Sequence, residues 1–419
     1  MHVTDWELNQ LRHERTKVTS RLRFGVVLSH PIQYCAPIFR ELAGRVELVV
    51  FFGHRATPGD QAKAGFGVGF EWDVDLLSGY RHQFLDNISR KPGLDHFSGV
   101  DTPAIGQVLE DGNFDAVLVM GWHLKSYVQA IRGARRLGLP VLVRGDSQLD
   151  TVRSPIKRAI KRLLYPMLLR QFDAALYVGQ RSKAYYEYYG YPASRLFHSP
   201  HCVDNAWFAE RATAAARAEL RARLGVGDNT SLVLFAGKLV PFKRPLDVVA
   251  ACARLREEGE DVQLLIAGAG ELEAQVRASA REAELPLHML GFCNQSEMPA
   301  VYAAADALVL SSSSETWGLV ANEALASGTP IVVSDACGCS PDLANTGNAG
   351  RSFPVGDIDA LAQALSDVLR YLPDKSSIHN LIETHSVTKA VEGIIHALHA
   401  ITAARKERSV IGGRGHEHR

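Results

Sequence analysis

Glu315 and Glu323 stand with seven residues between them in SSSSETWGLVANEALASGTPIVVSD, residues 311–335. An apolar run ends in serines, Glu315 and Gly318 follow, and a short helix to about Ser327 is closed by Gly328 and Pro330. Gly fits a helix C-cap there, and Pro bars continuation. This order sets a loop and a helix N-terminus at the carboxyl end of a strand. The N–H groups of Gly318, Leu319 and Val320 would then face an anion. A carboxylate before that point and another inside the helix suit hydroxyl recognition, because an ionised carboxylate can hold a vicinal diol. The plainer alternative is a capping glutamate plus a solvated helix glutamate.

A second segment, GKLVPFKRP (237–245), follows an apolar run directly and carries Lys238, Lys243 and Arg244 around Pro241. Cations there would neutralise a diphosphate facing the helix N-terminus; the alternative is a solvated basic loop. The segment lacks the GxxxxGK[ST] spacing of a Walker loop.

The elements that must position these residues are legible as apolar runs. In the first half they are 24–29, 46–52, 115–121, 139–145 and 172–179, and in the second 230–238, 262–270, 288–292, 305–314 and 330–336, with helical spacing between them. Continuous Val/Leu runs alternating with helices predict parallel sheets covered on both faces. Two doubly wound α/β domains in tandem bind ligands at the carboxyl ends of their strands, so the cleft between them is the expected site. The expected boundaries are 22–203 and 204–385 for the two domains, 386–404 for a C-terminal helix returning to the first, and 405–419 for a disordered tail. RATAAARAELRARLG near the junction reads as a surface helix ended by Gly225.

Both segments together, GKLVPFKRP and ETWGLVANE, resemble the retaining glycosyltransferases of family 4, which have the GT-B fold. The resemblance runs from about Phe24 to about Ile401. SHPIQYCAPIFREL, FEWDVDLLSGY and SETWGLVANEALASGTPIVVSDACG are similar to a subgroup acting on bacterial surface polysaccharides and related glycans. The resemblance implies that Gly237, Lys238 and Lys243 meet the donor diphosphate and that Glu323 binds the nucleotide ribose. Glu315 would contact donor-sugar hydroxyls, while Trp317, Gly318 and Leu319 line the phosphates through backbone N–H groups. His123, in MGWH, matches the active-site His. The nucleobase would lie near Gly268–Gly270 and near Gly291, Phe292 and Cys293. The implied donor is a UDP- or GDP-type sugar, the acceptor a glycan or lipid-linked molecule, with no metal or other cofactor. His30-Pro31-Ile32-Gln33-Tyr34 replaces the usual Gly-rich loop, which moves His30 and Gln33 toward the acceptor. Lys238 stands where many members have Arg, giving a less directional contact.

Other signals read differently. Asp73-Val-Asp75 is a short D-x-D weighed as a metal site and set aside, and Gly268-Ala-Gly270 fails the dinucleotide pattern at Glu273. Arg144 is divided between an acidic acceptor or phosphate and an ion pair with Asp146; His198 and His201 read as structural. In SPIKRAIKRLLYPMLLR (154–170) the apolar residues share one helical face beside a basic arc. That segment is either a peripheral membrane contact or, on the plainer reading, a core-packed helix with a solvated basic face. Lys plus Arg and Asp plus Glu are 46 each in 419 residues, so no basic surplus supports nucleic-acid binding. Six cysteines read as reduced thiols, and no signal or spanning segment is legible, so the expected place is the cytoplasm, at the inner face of the membrane. The rival readings are a non-hydrolysing nucleotide-sugar epimerase and a catalytically silent sugar-nucleotide-binding partner.

Overall fold

Apolar runs without alternation become strands buried on both faces, and here they build two parallel sheets. The computed structural model describes residues 21–62, 69–149, 155–345, 349–371 and 373–414. The first sheet contains β1 (Arg23–Leu28), β2 (Glu47–Phe52), β3 (Arg81–Phe84), β4 (Ala116–Val119), β5 (Val141–Gly145), β6 (Ala174–Tyr177) and β7 (Leu196–His198), in the order β3-β2-β1-β4-β5-β6-β7. The second contains β8 (Ser231–Ala236), β9 (Val262–Ala267), β10 (Leu287–Gly291), β11 (Ala307–Leu310), β12 (Ile331–Ser334) and β13 (Gly350–Phe353), in the order β10-β9-β8-β11-β12-β13. This is the GT-B architecture: two Rossmann-like α/β domains.

Strand order reverses between β1 and β4 in one sheet and between β8 and β11 in the other. Crossover helices diverge to opposite faces at such a point and leave a crevice beyond the strand ends. His30 follows β1 and His123 follows β4; Lys238 and Lys243 follow β8, and Glu315 follows β11. The two switch points therefore deliver the residues singled out in the sequence.

The two domains meet along a dense seam. The Trp317 ring presses on Gly179, where a Cβ would sit 2.3 Å from a ring carbon. Asn322 Nδ2 donates to the His201 carbonyl at 3.2 Å, Gln148 Nε2 to the Glu315 carbonyl at 2.9 Å, and Gln180 N to the Asp342 carboxylate at 3.1 Å. Helix Val387–Arg414 packs Val391, Ile394 and Leu398 into the core of the first domain. It runs past residue 404, so the expected disorder does not hold for 405–414. AARKER is made of good helix formers, and extending an existing helix costs far less than starting one. Residues 415–419 lie outside the described residues.

Two further expectations are corrected. The helix Ala214–Leu224 is not merely superficial, because Arg221 is buried, pairs with Asp306 and bonds the carbonyls of Ala304, Gly227 and Thr230. The helix Pro155–Leu169 is not core-packed through its apolar face. Ile156, Ile160, Leu163, Leu164 and Met167 are 52–75% exposed. The side facing the protein carries Lys161, whose ammonium lies 4.1 Å from the Tyr165 ring centre, and the buried Leu169. Ser154, which opens the segment singled out in the sequence, lies outside the described residues.

Arg144 is buried at the end of β5. Its guanidinium donates to Ser199 Oγ at 3.1 Å, to the Ser199 carbonyl at 3.3 Å and to the Pro200 carbonyl at 2.8 Å, while Ser199 Oγ donates to the Ala390 carbonyl at 3.0 Å. One side chain thus ties the interdomain crossing to the returning helix. Arg144→Met is expected to cost about 2–4 kcal/mol, because buried acceptors lose their donors. Arg144→Lys should recover only part, lacking the planar fork. Urea unfolding curves of the three proteins check both values.

Candidate active site

A cavity of about 930 Å³, including its open mouth, lies between the domains. The second domain supplies Gly237, Lys238 and Lys243 after β8, Gly268 and Ala269 after β9, and Phe292 and Cys293 after β10. Glu315, Gly318, Leu319, Val320 and Glu323 come from the loop and helix after β11, and Tyr302 from helix Met298–Ala304; the first domain adds Gln33 and Trp72. The floor is open because glycines let two loops approach. Gly268 has φ +155°, and a Cβ there would come within 1.8 Å of the Gly237 carbonyl oxygen.

The helix Leu319–Ala326 starts after Gly318 at φ +102°, with no side-chain cap. Its first N–H groups, on Leu319 and Val320, have no intrahelical acceptor and carry the positive end of the helix dipole. Lys243 ends a 3-10 turn, Pro241–Lys243, and Ser311 Oγ fixes that turn by donating to the Lys243 and Arg244 carbonyls at 2.9 and 3.0 Å. Lys243 forms an ion pair with Glu315, and each side chain is only 18% exposed. Lys243 is therefore not part of a freely solvated basic loop: Glu315 is its counterion. Burial lowers the Lys238 pKa, and neighbouring Lys243 lowers it further.

Glu323 is partly buried, accepts a hydrogen bond from the Tyr302 hydroxyl at 2.6 Å, and lines the cavity. Burial raises its pKa to about 7, against the opposing effect of Tyr302. It is not a solvated helix glutamate.

The switch point of the first domain forms a second cavity, lined by His30, Tyr34, His123, Arg144, Asp146 and His201 among others. Gln33 reaches the first cavity, while its neighbours Ile32 and Tyr34 line the second, so HPIQY borders both. Burial lowers the His30 pKa to about 4 and lowers that of His123, which Asp146 opposes. Both rings are thus neutral near pH 7, and each keeps an acceptor nitrogen.

Several expected residues stand elsewhere. Trp317 does not line the first cavity: its ring belongs to the seam, and its Nε1 donates to Asn322 Oδ1 at 2.7 Å. A large apolar ring between two domains buries more area there than beside phosphate. Arg244 bonds Asp247, three residues on in the first turn of helix Pro245–Glu257, at 2.6 Å, and it lines no part of the cavity. Arg144 lines the second cavity and makes no pair with Asp146; its Nε and Nη2 donate to Ser199 and Pro200, while Asp146 lies 3.9 Å from His201. Asp73 bonds Ser296, and Asp75 accepts from the N–H groups of Leu77 and Ser78 at 3.0 and 3.1 Å. Both are used as hydrogen-bond acceptors in turns and bridges. Trp72, Tyr302 and Gln148 escaped the sequence reading. Only Trp72 left a signal, as an aromatic beside the acidic pair.

The fold and the placement of the cavity define the class: a GT-B protein with its cleft at two facing switch points. Residues 216–384, within the second domain, match the family described as "Glycosyl transferases group 1". The D-inositol 3-phosphate glycosyltransferase of Pseudarthrobacter chlorophenolicus is 36% identical over 159 residues, 36% of this chain and 37% of the relative. A glycogen synthase of Mycobacterium tuberculosis is 36% identical over 139 residues, 33% of each chain. The chain thus spans less than half the length of these curated relatives. Among solved structures, Anabaena HepE in complex with UDP and glucose superposes with a TM-score of 0.65 at 16% identity, covering 90% of this chain and 99% of that one. A glycosyltransferase from Rickettsia africae gives a TM-score of 0.69 at 14% identity, covering 91% and 98%.

The raised pKa of Glu323 fixes a sign for stability. Below the ordinary value of 4.5 the carboxyl is neutral in both states. Between 4.5 and about 7 the unfolded chain is ionised while the native protein keeps its proton, so stability falls as pH rises; above about 7 the full cost is in place. Glu323→Gln is therefore expected to stabilise the ligand-free protein at pH 8 relative to wild type and to leave it nearly unchanged at pH 4. Paired melting curves across this range measure the difference.

Proposed function

We propose that the protein transfers a hexosyl unit from a UDP- or GDP-type sugar to a hydroxyl of a glycan or lipid-linked acceptor, with retention at the anomeric carbon. The observation that carries this reading is the convergence of Lys238, Lys243 and the N-terminus of helix Leu319–Ala326 on one interdomain cavity that also holds Glu315 and Glu323. Two ammonium groups and the helix end supply fixed positive charge where a leaving diphosphate gains negative charge, the work otherwise given to a metal. Glu323, held by Tyr302, faces the ribose hydroxyls. Glu315 gives up Lys243 to the phosphate and turns its freed oxygens to the donor sugar. His123, neutral and in the second cavity at the first domain's switch point, accepts from a sugar hydroxyl that extends toward it. The acceptor attacks from the face of the leaving phosphate, which takes its proton, so neither glutamate forms a bond to the sugar. The relative from Pseudarthrobacter chlorophenolicus, a glycosyltransferase by its printed name, supports the transfer chemistry.

The exposed apolar face of helix Pro155–Leu169 supports a second part of this reading: it rests on an anionic bilayer that presents the acceptor. Arg158 and Arg162 are exposed beside it, and no acidic residue occurs between Pro155 and Arg170. Apolar side chains sink into the interface while cations meet anionic headgroups. Among the described residues no helix is long and apolar enough to cross a membrane.

Two experiments test these statements. In calorimetric titration with UDP and GDP in EDTA, Lys243→Ala is expected to bind at least about tenfold more weakly, a loss of roughly 1.4 kcal/mol. The same change should lower ligand-free stability by about 1–3 kcal/mol, because Glu315 loses its partner. Normal nucleotide binding by the variant, or wild-type binding that needs Mg²⁺ or Mn²⁺, would refute the clamp. For the membrane, the wild type should sediment with phosphatidylglycerol vesicles and not with phosphatidylcholine ones. Leu163→Asp with Met167→Asp should abolish it; a wild type that stays in the supernatant with both sinks that part.

A further inference from the structure

The segment from Phe70 to Asp73 leaves the first domain and reaches the second where β10 ends. Asn294 Nδ2 donates to the Glu71 carbonyl at 2.8 Å, and Ser296 N donates to the Asp73 carboxylate at 3.2 Å, with Ser296 Oγ bonded to the same carboxylate. Phe70 packs on Phe292 with ring centres 4.3 Å apart and meets Trp72 edge-on at 5.0 Å. Both residues flanking Trp72 are thus tied across the cleft. Trp72 itself lines the cavity with Phe292, Cys293, Gln295 and Met298.

We propose that Trp72 is a base-recognising residue contributed by the first domain, whose indole closes the far end of the donor cavity and stacks on the nucleobase of a nucleoside diphosphate. The inference rests on the nucleotide-sugar reading above and adds to it the residue that holds the base. The sheet order β10-β9-β8-β11 sets Phe292, and Trp72 with it, at one end of the row of loops that line the cavity and Glu315 at the other. Lys238, Lys243 and the helix end take the diphosphate and Glu323 the ribose, which leaves the aromatic end of the cavity for the base. An indole is large, flat and nearly rigid, so stacking a base on it costs little ordering. Phe70 acts as a positioning residue, because its ring backs Trp72 and braces it against Phe292. The bonds from Asp73 and Glu71 make base binding depend on both domains, so a nucleotide seated on Trp72 also holds the cleft together.

The test is calorimetric titration of wild type, Trp72→Ala and Trp72→Phe with UDP, GDP, ADP and inorganic pyrophosphate. For whichever nucleoside diphosphate binds wild type, Trp72→Ala should raise Kd at least tenfold, while Trp72→Phe stays within about threefold. Pyrophosphate, which has no base, should bind all three alike. In wild type the tryptophan fluorescence should change on nucleotide addition, and in Trp72→Phe that change should be lost. Trp72→Ala binding nucleotides as wild type does would overturn the inference and leave the nucleotide-sugar reading standing. Equal weakening toward pyrophosphate would also overturn it, since the residue would then only shape the cleft. Wild type that binds no nucleoside diphosphate would remove the reading beneath it, and the inference with it.

Discussion

The cleft depends on how closely Trp317 approaches Gly179. Trp317 stands between Glu315 and the first turn of helix Leu319–Ala326, so its placement fixes both the carboxylate and the helix end. Its ring is buried against His201 and His385, with ring centres 5.4 and 5.8 Å away, and its Nε1 is satisfied by Asn322. Asn322 in turn reaches the His201 carbonyl of the other domain. A buried indole with its one donor satisfied is a rigid spacer. Any side chain at position 179 would push it away, and the loop carrying Glu315 would move with it.

Around that spacer the charges are arranged in pairs that a ligand can replace. Lys243 and Glu315 neutralise one another in a half-dry cavity, where an unpaired charge would be costly. Glu323 avoids the same cost by holding its proton near neutral pH. The cavity therefore carries few uncompensated charges, and on the proposed reading a diphosphate that draws Lys243 away releases Glu315 for hydroxyl groups. The first domain behaves alike: His30 and His123 are neutral by burial, and Arg144 is satisfied by carbonyls.

Much of this was legible in the sequence, and the reasons for the rest are physical. The central strands β1, β4, β8, β9 and β11 are continuous apolar runs because both faces are covered. The edge strands β3 (RHQF) and β13 (GRSF) carry polar residues, since one side of an edge is wetted, and left no such trace. Gly237, Lys238, Lys243, Gly268, Phe292, Glu315, Gly318, Leu319 and Glu323 lie together beyond the carboxyl ends of β8 to β11. Their order along the chain already implied a shared edge. The surroundings of the Trp317 indole and the Arg144 guanidinium left no trace, because a tryptophan beside a phosphate loop and a tryptophan in a seam have the same sequence signature. The same holds for an arginine at a strand end. The helix Pro155–Leu169 shows the limit most plainly: amphipathic spacing says which residues share a face, and only the neighbouring tyrosines decide that Lys161 turns inward.

The chain crosses between the domains twice, once through 199–204 and again on its way into helix Val387–Arg414, and the His198 and His385 rings of the two crossings lie 6.3 Å apart. Two adjacent attachments act as the pins of a door. They permit the cleft to swing open about the line that joins them and resist twisting or sliding of one sheet over the other. The strand ends facing each other across the cavity therefore keep their register at every degree of opening.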